Sequence, residues 1–239
     1  MSRTALVFGG SRGIGAAIAR RLARDGCNVA LTYVSRPVSA ETVAVDIRSM
    51  GRKALPLRAD SADPKAITAA VEEAACQMGL LDMAVINAGL LRQGSVENVP
   101  LEDLDRMLAV NVRGVFLAIQ ASVARMRDGG RVVTIGSNTA IRTGSRGSSV
   151  YAMTKAAVAA MVKGAALDLA PRGITVNNIQ PGPTETDMTA SMVNRRKEVI
   201  PLQRMGQPDE IAGLVSYLAR EEAGYMTGAS LTIDGGYVL

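Results

Sequence analysis

The sequence predicts an α/β protein: one domain, residues 1–239, built as a doubly wound parallel sheet of seven strands with helices on both faces. Three observations lead there. Short β-branched runs alternate with longer amphipathic stretches, the rhythm of strand–helix–strand units joined by right-handed crossovers. A glycine-rich turn closes the first of these runs. No linker, repeat or low-complexity stretch divides the chain, and 239 residues suit one large α/β domain.

The elements follow in order. Ala5-Leu6-Val7-Phe8 reads as a buried strand ending in Gly9-Gly10-Ser11-Arg12-Gly13-Ile14-Gly15. The next stretch puts Ile18, Ala19, Leu22 and Ala23 on one helix face. Val29-Ala30-Leu31-Thr32-Tyr33 is the second strand. Further strands read at 54–57, 83–86, 132–135, 175–179 and 230–233, with helical stretches filling most intervals. Two long helices are expected over 104–126 and 152–169. Their small residues Ala118, Ala121, Ala159 and Ala166 suit either a partner chain or the sheet.

Composition narrows the function classes. Hydrophobic residues make up 48%, which argues against disorder. The 27 basic and 22 acidic residues give a formal charge of +5, which favours an anionic ligand and equally suits an ordinary protein surface. The positives are dispersed and aromatics are only 3%, so no nucleic-acid partner is expected. Cys27 and Cys76 read as isolated, buried small hydrophobes in a reducing, cytoplasmic setting, with neither disulfide nor metal site. The first strand begins by about Thr4, which leaves no room for a signal peptide. No run approaches the ~20 uninterrupted apolar residues of a membrane span, so no membrane association is expected.

Gly9, Gly13 and Gly15 form G-x-x-x-G-x-G at the first strand–helix junction. There, backbone amides can approach a pyrophosphate and a helix N-terminus faces its charge. Glycines also mark plain turns, but this position in an alternating chain favours the nucleotide. NAD-binding proteins commonly end the second strand with an acid that holds the ribose 2′-hydroxyl. Here Tyr33, Val34, Ser35 and Arg36 stand there, with no carboxylate. Arg12 and Arg36 can both reach a 2′-phosphate, which points to NADP(H) over two merely solvated arginines.

Tyr151 and Lys155 lie at i and i+4, on one face of a helix. The chain has no histidine, so neutral-pH proton transfer must use another group. Free phenol titrates near ~10, and a neighbouring ammonium favours the phenolate. Alone, Tyr-x-x-x-Lys is also met as an exposed pair.

Taken together, Gly9–Gly15, Asn87-Ala88-Gly89, Asn111, Ser137, Tyr151-x-x-x-Lys155, Pro181-Gly182, Thr227-Gly228 and Asp234-Gly235-Gly236 resemble the short-chain dehydrogenase/reductase family over the whole chain, and hence its Rossmann fold. Within the family the chain is most similar to 3-oxoacyl-[acyl-carrier-protein] reductase-like members and to a cyclic-di-GMP-binding dispersal group. The resemblance implies that Tyr151 protonates a carbonyl oxygen, with Lys155 lowering its pKa and holding ribose hydroxyls. Ser137 would orient the substrate oxygen, and Asn111 would position a water beside Lys155. It further implies that Gly9, Ser11, Arg12, Gly13, Ile14, Gly15, Tyr33, Ser35 and Arg36 bind NADP(H). Asp60 and Ser61 would line the adenine, Asn87, Ala88 and Gly89 the adenosine ribose, and Pro181, Gly182, Thr184 and Thr186 the nicotinamide end.

Two positions depart from the family's pattern. Phe8 replaces the usual threonine before the glycine loop, and Thr184 replaces an aliphatic residue. The stretch 184–206, with Met188, Met192, Val193 and Arg195-Arg196-Lys197, is expected to form a substrate lid. Arg142 and Arg146, between Ser137 and Tyr151, face either an acidic substrate or water. Arg172 matches one basic position that grips an acyl carrier protein; the other reads Asp128. The reading is therefore an NADPH-dependent reductase of ketones or aldehydes with a small-molecule substrate, in a homotetramer. The alternatives are a cyclic-di-GMP-type nucleotide-binding regulator and a 3-oxoacyl-[acyl-carrier-protein] reductase.

Overall fold

A computed structural model describes residues 3–187, 189 and 198–239. Seven strands make one parallel sheet: β1 (Thr4–Phe8), β2 (Asn28–Tyr33), β3 (Ala54–Arg58), β4 (Leu81–Ile86), β5 (Met126–Ile135), β6 (Thr175–Pro181) and β7 (Ser230–Ile233). Their order is β3-β2-β1-β4-β5-β6-β7. The winding reverses between β1 and β4, so a crevice opens beyond their C-terminal ends, where doubly wound sheets bind ligands.

All five residues of β1 are buried, and they alternate between two cores. Ala5 and Val7 join Ile18 and Leu22 of α1 (Gly13–Arg24), Val43 and Ile47 of α2 (Pro37–Ser49), and residues of α7 (Pro208–Leu218). Leu6 and Phe8 join the other face, with α3 (Pro64–Met78), α5 (Gly114–Ala124) and α6 (Ser149–Leu169). A side chain such as Leu6 or Phe8 contributes roughly 1.5–3 kcal/mol when fully buried, so the central strand anchors both layers.

The helix expected over 104–126 is broken. It runs as α4 (Leu101–Leu108), a π turn at Ala109–Arg113, and α5. The strand expected at 132–135 begins earlier, at Met126, through an irregular register opposite Leu81 and Met83. Ala118 and Ala166 face the sheet and lie in the second core. Outward on α5 and α6 stand instead Phe116, Met153, Ala156, Ala160, Gly164 and Leu167, spaced three to four residues apart along α6. Cys27 is buried, whereas Cys76 is exposed, because α3 turns Ile67, Ala70, Val71 and Ala74 inward and position 76 falls opposite them.

By length and composition alone, the stretches Leu101–Ala124 and Ser149–Arg172 are long and apolar enough to cross a membrane, unlike the expectation from uninterrupted runs. In the fold their apolar residues Val115, Ile119, Val158 and Val162 pack on the sheet.

Candidate active site

A cleft of about 450 Å³ runs across the C-terminal ends of β1, β2, β4 and β5, a size common for cofactor sites. Its floor is the glycine loop. Gly9 and Gly13 adopt φ of +71° and +52°, a backbone that side chains disfavour. A Cβ on Gly15 would lie 2.2 Å from the Gly9 carbonyl oxygen, so the helix can start this close only with glycine there. The first turn of α1 has no side-chain cap, and its free N–H groups suit an anion. These features fit a dinucleotide.

Every sequence-predicted nucleotide residue lines this one cleft, from Tyr33, Ser35 and Arg36 at one end to Pro181, Gly182, Thr184 and Thr186 at the other. Some use their side chains differently than expected. The Asn87 amide donates to the Gly9 carbonyl at 2.9 Å and to Phe8 at 3.3 Å, bracing the loop as well as lining the cleft. Asp60 accepts from the Ala62 N–H at 2.9 Å and from Arg106 at 2.7 Å. Burial alone would raise the Asp60 carboxyl, but these two donors outweigh it and hold the pKa below the ordinary value. Arg106 was not singled out by sequence; it sits 46 residues from the acid it orients.

At the far end three residues converge. Tyr151 stands in the first turn of α6 and Lys155 one turn on, with the lysine Nζ 5.6 Å from the phenol ring centroid. Ser137 follows β5, and Ser137, Tyr151 and Lys155 all line the cleft. The Ser137 Oγ accepts from the Thr139 N–H at 3.2 Å and the Thr139 hydroxyl at 2.9 Å. Two incoming donors leave its own hydrogen to be given away. Thr139 carries no sequence signal, because a threonine two residues on reads as ordinary turn chemistry.

Asn111 lies behind this wall, fully buried in the π turn and not on the cleft surface. Its side chain accepts from the Leu90 N–H at 2.8 Å and donates to the Leu90 carbonyl at 2.8 Å and to the Thr154 hydroxyl at 3.2 Å. Thr154 in turn donates to the Tyr151 carbonyl at 2.7 Å. The amide expected to hold a water is therefore engaged in tying α6 to the segment after β4.

The expected lysine-lowered phenol is not what this geometry gives. Burial pushes Tyr151 up from 10.0 to about 12, against the opposing pull of its hydrogen bond with Ser137. Burial also pushes Lys155 down from 10.5 to about 8. The lysine donates one of its three protons to the Ile135 carbonyl at 3.0 Å. Tyr151 keeps part of its surface in the cleft, where water moderates the rise, whereas Lys155 is only 4% exposed. At neutral pH the pair is a neutral phenol beside an ammonium, a proton donor and not a base.

The family model described as enoyl-(acyl carrier protein) reductase matches residues 9–238. A cyclic-di-GMP-binding biofilm dispersal mediator protein of Escherichia coli (strain K12) is 38% identical over 98% of this chain and 97% of its own. A 3-oxoacyl-[acyl-carrier-protein] reductase FabG of Staphylococcus aureus is 37% identical, covering 99% and 98%. A short chain dehydrogenase from Burkholderia cenocepacia J2315, solved in complex with NADP, superposes with a TM-score of 0.96 at 44% identity, covering 99% and 98%. The chain belongs to the short-chain dehydrogenase/reductase family.

Both departures from the short-chain dehydrogenase/reductase pattern have local compensation. Phe8 is buried in the second core, and the glycine loop is tied instead by Thr32, whose hydroxyl accepts from the Gly9 N–H at 2.9 Å. Thr184 is also buried, and its hydroxyl donates to the Gly182 carbonyl at 3.0 Å, so no polar group is stranded. Of the expected lid, the chain is pinned at its base: Glu185 N–H donates to Gly206 and Gly206 N–H to Pro183, both at 2.9 Å. Met188, Met192, Val193 and Arg195-Arg196-Lys197 lie outside the described residues.

Arg142 donates to the Tyr237 carbonyl at 2.9 Å and stacks over its ring, so it clasps the C-terminal segment. At the opposite end, Arg12 and Arg36 both pair with Asp187, a residue sequence reasoning passed over.

Proposed function

We propose that this chain is an NADPH-dependent reductase that converts a ketone or aldehyde of a small molecule to an alcohol, reversibly. The observation that carries the reading is one continuous cleft with Ser137, Tyr151 and Lys155 at one end and Arg12 and Arg36 at the other. Bound there, the reduced nicotinamide supplies the hydride. Ser137, its lone pairs occupied by Thr139, donates to the substrate oxygen and fixes its place. The neutral Tyr151 phenol gives that oxygen its proton as negative charge develops. The Lys155 ammonium stabilises the phenolate left behind and, lining the same cleft, would hold the cofactor's ribose hydroxyls. Asn111 and Thr154 hold α6 in the register this requires.

The NADP complex of the Burkholderia relative supports the phosphorylated cofactor, as does the absence of a carboxylate at the end of β2. Two further elements belong to this reading: a homotetramer built on the exposed face of α5 and α6, and a cytoplasmic setting for the thiols of Cys27 and Cys76. An acyl-carrier substrate is less well supported. Arg172 is already committed to Asp128 at 2.8 Å and to the carbonyls of Val123 and Met126, both at 2.7 Å, and so is not free to grip an acidic carrier. The dispersal-mediator relative keeps a second reading in view, a cyclic-di-GMP binder; a pure sensor has no use for a complete proton-transfer set.

Following NADPH oxidation against diketones, β-ketoesters, cyclic ketones and acyl thioesters tests the reading. Turnover of at least one carbonyl class is expected, with a lower KM for NADPH than for NADH. A KM for NADH equal to or below that for NADPH would overturn the cofactor preference. Calorimetric binding of cyclic-di-GMP with no turnover of any carbonyl would favour the sensor.

A further inference from the structure

The two arginines at the 2′ end of the cleft already hold an anion. One carboxylate oxygen, Asp187 Oδ2, lies 3.1 Å from Arg36 Nη1 and 3.6 Å from Arg12 Nη1. Asp187 comes from beyond β6, 151 residues along the chain from Arg36. Among the described residues it is the carboxylate paired with either arginine. One oxygen between two guanidiniums is the arrangement a phosphate oxygen would take in the same clamp.

We propose that Asp187 is a specificity-determining residue: an internal stand-in for the nucleotide's 2′-phosphate, which a 2′-phosphorylated nucleotide displaces and a 2′-hydroxyl nucleotide does not. This rests on the NADP(H) reading above and deepens it. A phosphomonoester carries about −1.5 to −2 charges at neutral pH, against one for the carboxylate, so it wins the two guanidiniums. A ribose hydroxyl brings no charge and leaves the pairs closed. Asp187 thus lowers the affinity of the phosphorylated nucleotide alone, and so narrows the preference that the two arginines create.

The position of Asp187 does not depend on its charge. Thr184 bridges to Gly206, and the Thr186 N–H donates to the Thr189 hydroxyl at 3.0 Å. Thr186 also packs against the glycine loop, its Cγ2 3.3 Å from where a Gly13 Cβ would stand. These contacts carry Asp187 to Arg12, and replacement by asparagine removes the charge while keeping the shape. Both ion pairs are roughly half exposed, so each is a weak, salt-screened contact.

Calorimetry with 2′,5′-ADP and 5′-AMP, which differ only by the 2′-phosphate, provides the test without any turnover. Asp187→Asn is expected to bind 2′,5′-ADP about 3- to 10-fold tighter than the unaltered chain, given the usual worth of exposed ion pairs, and to bind 5′-AMP the same. Arg36→Ala is expected to lose affinity for 2′,5′-ADP alone. Unchanged or weaker 2′,5′-ADP binding by Asp187→Asn, or an equal gain for 5′-AMP, overturns the role of Asp187. If the unaltered chain binds both probes equally and Arg36→Ala changes neither, the NADP(H) preference itself fails. A preference that Arg36→Ala removes and Asp187→Asn leaves untouched sinks the inference alone.

Discussion

At the scale of single residues, the chemistry rests on how burial sets protonation. Desolvation pushes Tyr151 up to about 12 and Lys155 down to about 8, so each is driven towards its neutral form. The sign of the pH dependence follows. Lys155 is charged below about 8 and loses that charge as pH rises through it, while Tyr151 stays protonated throughout. For the free enzyme, kcat/KM for carbonyl reduction is therefore expected to be level at neutral pH and to fall above about pH 8; a profile flat to pH 10 would show that the ammonium is not needed. Thr139 makes a second prediction. Thr139→Val removes one of the two donors that turn the Ser137 hydroxyl outward, and is expected to cost about 3- to 10-fold in kcat with cofactor binding unchanged. Thr139→Ser should restore most of it, which a loss of folding would not permit.

Single elements are where sequence and structure part most clearly. The glycine loop was legible because its conformation is a property of Gly9, Gly13 and Gly15 themselves, written at fixed spacing. The break between α4 and α5 was not, because 104–126 is apolar and helix-forming throughout. What opens the π turn is the pairing of Asn111 with Leu90, 21 residues away, and no local periodicity reports it. Asn111→Ala strands the Leu90 N–H and carbonyl and frees the Thr154 hydroxyl. Denaturant unfolding should register a loss of roughly 2–4 kcal/mol, from two or three buried hydrogen bonds. A loss within 0.5 kcal/mol would mean that water replaces the amide and the turn is held by packing. The same limit explains Arg106, Thr32 and Asp187: each is recognisable only once the fold has brought it to a partner far along the chain.

Over the whole molecule, the doubly wound parallel class was readable from the alternation of strands and helices, whereas the order β3-β2-β1-β4-β5-β6-β7 came from the fold. The outer surface was read less well. Small residues on α5 and α6 were visible, but which of them faced the sheet depended on helical phase, which on α5 the π turn at Ala109–Arg113 resets. Phe116, Met153 and Leu167 are 52%, 48% and 78% exposed, an apolar face suited to a second copy of the chain. Light scattering is expected to give about 100 kDa, four times the 25.0 kDa chain, and a smaller species when Phe116 and Leu167 are both changed to glutamate. A monomer before any substitution would contradict the assembly. The decisive measurement concerns the hydride and the phenol together: NADPH dideuterated at the nicotinamide C4, incubated with the best carbonyl of the panel, and the alcohol weighed by mass spectrometry. One deuterium in the alcohol is predicted for the unaltered chain, and at least a 100-fold slower appearance in Tyr151→Phe at nearly unchanged NADPH affinity. Alcohol without deuterium, or an undiminished rate in Tyr151→Phe, would contradict the proposed chemistry.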